Sequence, residues 1–164
     1  MQLKSRILTF SKDIKVLVGT YLLVTSIGFL SALQFVNVTT AGTPQGIQEN
    51  YLGNEDDLEA EELKFTKSER QILNIVHAHM LSLGMLFLIL AFLVALTPID
   101  GFARRFLLFE PLLSVFFTFS GIYLLTKGIV WMKYIILISG VFMTFSYVVS
   151  VVLVLYWLFK KKSN

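Results

Sequence analysis

The chain contains no cysteine. Disulfides, thiolate metal sites and cysteine nucleophiles are therefore excluded, and cysteine usage gives no guide to redox compartment. Charge is scarce too. Only 15% of residues are charged, against about a quarter in an ordinary soluble domain, and the formal net charge is only +3. No basic, aromatic-laced patch of the kind that binds nucleic acid is present, so no nucleic-acid partner is expected. There is no P-loop, no G-x-G-x-x-G, no nucleophile elbow and no zinc-ligand cluster. No catalytic set is assigned, and an enzyme is the lesser expectation.

Apolar sequence is what the chain has in abundance, at 55% of residues. A membrane span needs about 20 apolar residues to cross roughly 30 Å of hydrocarbon. Four stretches qualify: Val16 to Val36, Ile72 to Leu96, Phe106 to Thr126 and Tyr134 to Phe159. Only the third contains a charge, Glu110. The expected fold class is an all-α membrane protein, with four transmembrane helices in an up-down bundle forming one domain over residues 1–164. The basic start of the chain precedes an apolar run too long for a signal peptide, and no A-x-A site follows, so a retained anchor is expected.

Basic residues orient the spans. Lys4, Arg6, Lys12 and Lys15 precede the first span, Arg104 and Arg105 lie between the second and third, and Lys160, Lys161 and Lys162 follow the fourth. Four spans put all three groups on one side. The expected location is a bacterial inner (cytoplasmic) membrane with both termini cytoplasmic. The other side carries the acidic external loop, residues 37–71. Thr39 to Gly53 is rich in glycine and should be irregular. Glu55 to Lys64 is helix-compatible, with Asn54 as its N-cap, and would lay Leu58, Leu63 and Phe65 on the membrane surface or on the tops of the spans. Ser68 and Gln71 have capping-box spacing, so the second helix should begin near Ser68. It should stop at Thr97-Pro98, ahead of the turn sequence Pro98-Ile99-Asp100-Gly101.

His77 and His79 are the only histidines. Both fall near the outer edge of the hydrocarbon, about 8 and 11 Å below Ile72 at 1.5 Å per residue. Ionisable residues at membrane depth are functional candidates, and imidazole is the commonest metal ligand. Residues two apart on a helix are separated by about 200°, however, so one ion cannot be held by both. His77 shares a face with Met80, Gly84 and Ala91, small residues suited to close helix contact, and should point inward. His79 should face a neighbouring span, a partner or headgroups. His77, His79 and Met80 are the candidate cofactor-binding residues, and His77 and His79 the candidate metal ligands, for b-type haem or a transition metal.

Glu110 heads a second candidate site. Ser114, Thr118 and Gly121 follow it at helical spacing. One reading is a proton or cation site made by Glu110, Ser114 and Thr118. The other is a helix start near the cytoplasmic end, with Pro111 at the first helical position, the carboxylate on the helix N-terminus, and Arg104 and Arg105 close enough to pair. On the fourth span, Ser139, Met143, Ser146, Tyr147 and Ser150 share one face, which reads as packing.

Small size, small-residue faces and an acidic loop point first to an accessory or assembly subunit of a larger membrane complex, or to a homo-oligomer, embedded in lipid. A haem- or metal-binding redox module using His77 or His79 is the alternative. Haem-binding four-helix bundles usually draw ligands from different helices, and here both histidines are on one. An oligomeric transporter or membrane enzyme is the third reading. Glu69-Arg70 with Asn74 is similar to the charged second span of four-span eicosanoid and glutathione enzymes, but the expected orientation is opposite to theirs. Four-span multidrug exporters carry a first-span carboxylate, which this chain lacks.

Overall fold

The computed structural model describes residues 5–57 and 62–160. A short 3-10 turn at Arg6–Thr9 leads into five helices: α1 (Lys12–Thr40), α2 (Pro44–Leu52), α3 (Glu69–Ala95), α4 (Gly101–Thr126) and α5 (Met132–Phe159). Four of them, α1, α3, α4 and α5, are long and apolar enough to cross a membrane. No strand occurs among the described residues. The all-α, four-span class expected from hydropathy is the one observed.

Local signals set the helix ends. Ser11 caps α1, accepting from the Ile14 N–H at 3.4 Å. Ser68 opens α3 with a complete capping box: its Oγ accepts from the Gln71 N–H, and the Gln71 side chain accepts from the Ser68 N–H at 2.8 Å. Thr97 closes the far end of α3 by donating to the Val94 carbonyl at 2.7 Å. Pro98 then prevents continuation, since it has no N–H to offer.

α4 packs along both α5 and α3, and these three spans form the core. α1 is peripheral: 11% of its most apolar window is buried, against 44% for α4. It is held by an aromatic cluster. Phe29 stacks on Tyr147 of α5 with centroids 4.0 Å apart, and meets Phe87 of α3 edge-on at 6.3 Å. The Tyr147 hydroxyl lies 3.1 Å from Ser26 Oγ, and the Tyr21 hydroxyl donates to the Leu86 carbonyl at 3.3 Å. Aromatic pairs of this kind are worth about 0.5–1.5 kcal/mol beyond area burial. At the terminal face, fully buried Ile7 donates its N–H to the Leu96 carbonyl at 3.2 Å, plugging the bundle end.

The loop face differs from expectation. Among the described residues the loop helix is α2, inside the glycine-rich part. Pro44 occupies the first turn and Thr43 caps it, accepting from the Gly46 N–H at 3.0 Å. Those two start signals outweigh the glycines. Asn54 does not cap a helix. It clasps the loop, accepting from the Lys64 N–H at 2.6 Å and donating to the Glu62 carbonyl at 2.9 Å. Residues 54–57 and 62–68 are non-helical, and Leu58 lies outside the described residues. Leu63 and Phe65 are exposed.

α2 is tied to the spans as a lid. Lys133 donates to Gln48 at 2.7 Å, and Lys67 donates to Asn50 Oδ1 at 3.0 Å while sitting over the Tyr51 ring. Burial pushes the Tyr51 phenol up to about 12, and burial followed by the nearby Lys64 charge holds the Lys67 ammonium below its usual range. Gly46 is required where α2 crosses the end of α1, because a Cβ there would come within 1.9 Å of the Thr40 carbonyl oxygen.

Gly46→Ala should lift the lid from α1, costing about 1–3 kcal/mol as an overpacked contact. Thermal unfolding in detergent and proteolysis within residues 41–67 would report it, and an unchanged melting temperature would contradict the packing. The raised Tyr51 value fixes the sign of a pH effect. The folded lid binds this proton more tightly than the unfolded chain, so the contribution is complete below about pH 10. It is lost as pH rises through about 12, and ultraviolet titration of wild type against Tyr51→Phe should show it.

Candidate functional site

α4 starts at Gly101, more than a turn before the apolar run begins at Phe106. Pro111 therefore lies inside the helix, not at its first turn. The helix-start account of Glu110 is overturned: the carboxylate is too far along α4 to meet the free N–H groups of the first turn. The arginine pairing fails as well. Arg104 donates to the Ala95 carbonyl at 3.1 Å, and no ion pair to Glu110 occurs among the described residues.

Glu110 is held by serines. Ser114, one turn on, donates to its Oε1, and Ser146 of α5 donates to its Oε2. Ser146 is fully buried at the midpoint of α5, roughly 20 Å of helix rise from either end. Glu110 thus sits at mid-bundle depth. Further toward the loop face, Thr118 Oγ1 and Ser139 Oγ are 2.7 Å apart. The Ser139 hydroxyl donates to the Ile135 carbonyl at 2.7 Å, which makes Thr118 the donor between them. Beyond these, Gly121 faces Ile136. Ser150, one turn from Ser146 toward the terminal face, is 1% exposed, and its hydroxyl has no hydrogen-bond partner among the described residues.

The polar stripes of the third and fourth spans therefore face each other, and Ser146, assigned only to packing, is a direct partner of Glu110. Each stripe was visible as a helical repeat, but their juxtaposition was not. One further group went unnoticed despite a signal. Pro111 has no N–H to give to the carbonyl four residues earlier, so the Leu107 carbonyl loses its helical donor at the same seam.

The histidines occupy another level. His79 stacks on Phe119 of α4 with centroids 5.2 Å apart, and its Nδ1 is 2.9 Å from the Ile75 carbonyl. A carbonyl only accepts, so Nδ1 carries the proton and Nε2 keeps a free lone pair. Phe119 is nine residues from Glu110, about 14 Å of rise, and the two sites are separate. His77 does not point inward. It is exposed and makes no hydrogen bond among the described residues, because the buried face of α3 is built from Ile72, Phe87, Leu90 and Val94. Gly84 lies open, with nothing within 4 Å of an added Cβ, while Ala91 of the same stripe is buried. Met80 is half-buried against the core. No group of three metal-ligating side chains occurs among the described residues.

The family model Aq_1264_TM, described as a transmembrane helical domain, matches residues 41–164. The matched stretch runs from the end of α1 through α2, α3, α4 and α5. No curated protein and no solved structure matches the chain.

The seam makes opposite predictions for two adjacent serines. Ser146→Ala removes a donor from a buried carboxylate and should cost about 1–3 kcal/mol. Ser150→Ala removes an unpartnered hydroxyl and should be neutral or slightly stabilising. Unfolding midpoints in mixed micelles compare the two directly, and equal losses would contradict the assignment.

Proposed function

We propose that this chain, which belongs to that family of transmembrane helical domains, is a non-catalytic subunit or assembly factor of a larger membrane complex. It docks through the exposed face of α3 that runs from Asn74 to Leu88. The carrying observation is an uncovered polar face within a span. Asn74 and His77 are exposed on α3 together with Leu81 and Leu88, and Gly84 is open beside them. Polar side chains in spans almost always face protein or a water-filled cavity, and small residues admit a second helix closely. A transmembrane helix of another subunit, carrying a hydroxyl or amide to meet His77 and Asn74, fits this face. In this reading the basic terminal face is cytoplasmic by the positive-inside rule, and the membrane is a bacterial inner membrane.

The absence of native cysteine makes the test clean. Leu81→Cys should crosslink at one position of a single co-purifying membrane subunit, and adding His77→Leu should weaken it. Val141→Cys, on the exposed side of α5, should give no product. A crosslink only to a second copy, or a monomeric particle with both cysteines equally reactive, would contradict the reading.

A second reading rests on His79. The Nδ1–H bond to Ile75 fixes the ring and leaves Nε2 free, the arrangement in which protein imidazoles ligate metals. A b-type haem or transition metal at Nε2 would take its other ligands from a partner. Protein purified with its partner should then show a Soret band or bound metal that His79→Ala removes. An absent signal in the wild-type complex would eliminate this reading.

A further inference from the structure

We propose that the α4–α5 seam binds one small monovalent cation, of sodium or lithium size, in competition with a proton. This site lies on helices other than the docking face and does not depend on it.

Charge sets the ligand class. Glu110 accepts from two neutral hydroxyls at mid-bundle depth, and among the described residues no cationic side chain is bonded to it. Arg104 is engaged at the Ala95 carbonyl, and Arg105 is exposed. α5 has no charge between Lys133 and Lys160, and α3 has no ionisable group beyond Arg70 except the two histidines. The ionisable side chains of α1 within its span are Tyr21 alone, with Asp13, Lys12 and Lys15 at its terminal end. Tyr147, next to Ser146, is turned to Phe29 and Ser26. An isolated carboxylate in this medium is costly. One proton or one monovalent cation neutralises it, whereas a divalent ion would leave a net positive charge.

The donor set favours a cation site. Ser139, Ser146 and Ser150 fall within about 40° on the helical wheel, and the first two bond α4. Ser150 therefore faces α4 as well, buried and unpartnered. The pairs Glu110–Ser146, Thr118–Ser139 and Gly121–Ile136 define an antiparallel register that sets Ser150 opposite Leu107. The Leu107 carbonyl is the one that Pro111 leaves without a donor. A carboxylate, three hydroxyls and a freed carbonyl are hard oxygen ligands suited to a hard cation. Both carboxylate oxygens meet hydroxyls directly, a close-set donor group that favours a small ion. The exchange is balanced: the carboxylic acid releases its proton to solvent as the cation binds the carboxylate.

Dicyclohexylcarbodiimide, which modifies buried protonated carboxyl groups, provides the test on the purified full-length chain in detergent. Modification should map to Glu110 and slow as pH rises. Sodium or lithium chloride should slow it roughly tenfold at about ten times the dissociation constant, while potassium or choline chloride at equal ionic strength should not. Ser150→Ala should retain the pH dependence but need roughly tenfold more sodium for the same protection. Glu110→Gln should abolish modification; if it does not fold, Ser150→Ala carries the test. Modification indifferent to sodium and lithium, equal protection by potassium and choline, labelling of another residue, or no labelling at any pH would each overturn the proposal.

Discussion

Hydrocarbon offers no hydrogen-bond donors, so a carboxylate buried among membrane spans must be met by the protein itself. Glu110 is met by Ser114 from its own helix and Ser146 from the next. That requirement locks α4 to α5 at mid-depth. Thr118 with Ser139 repeats the lock two turns away, and Gly121 lets Ile136 approach beyond it. Three levels of contact on one seam leave little freedom to slide, because a slip of one turn would strand several buried hydroxyls at about 1–3 kcal/mol each. The other elements are arranged around this pair.

Attachment weakens outward from the seam. α3 packs against α4 and contributes Phe87 to the aromatic cluster. α1 leans on that cluster through Phe29 and on two hydroxyl contacts, leaving most of its surface for lipid or protein. Across the loop face, α2 caps the spans through Lys133 and Gln48, while Lys127 pairs with Glu69 at 2.6 Å. Exposed pairs of this kind contribute little individually. The lid depends more on the fit of Gly46 against Thr40.

The four spans were legible in the sequence because hydropathy over some 20 residues is a strong signal. Ser68 and Gln71 marked the start of α3 because a capping box is local. Other features were harder. The start of α4 was misplaced since Gly101 to Arg105 is glycine-led and ends in two arginines, yet a helix can begin outside the hydrocarbon, and that shift alone converted Glu110 from a cap to a mid-bundle group. α2 was missed because glycine lowers helix propensity by about 1 kcal/mol, while Thr43, Pro44 and tertiary contact with Thr40 supply the compensation. The direction of His77 was misread because a small-residue stripe shows that a face admits close contact, not that this chain fills it. The serine stripes were legible singly; facing them required the register.

That register is the central claim, and disulfide trapping tests it most directly in a chain with no native cysteine. Thr118→Cys with Ser139→Cys should oxidise rapidly in the membrane, since their side-chain oxygens are 2.7 Å apart and disulfides need Cα atoms within about 4.4–6.8 Å. Thr118→Cys with Ser146→Cys should not. Rapid closure of the second pair with failure of the first would show that α4 and α5 meet in a different register, and that Glu110 and Ser146 are not partners.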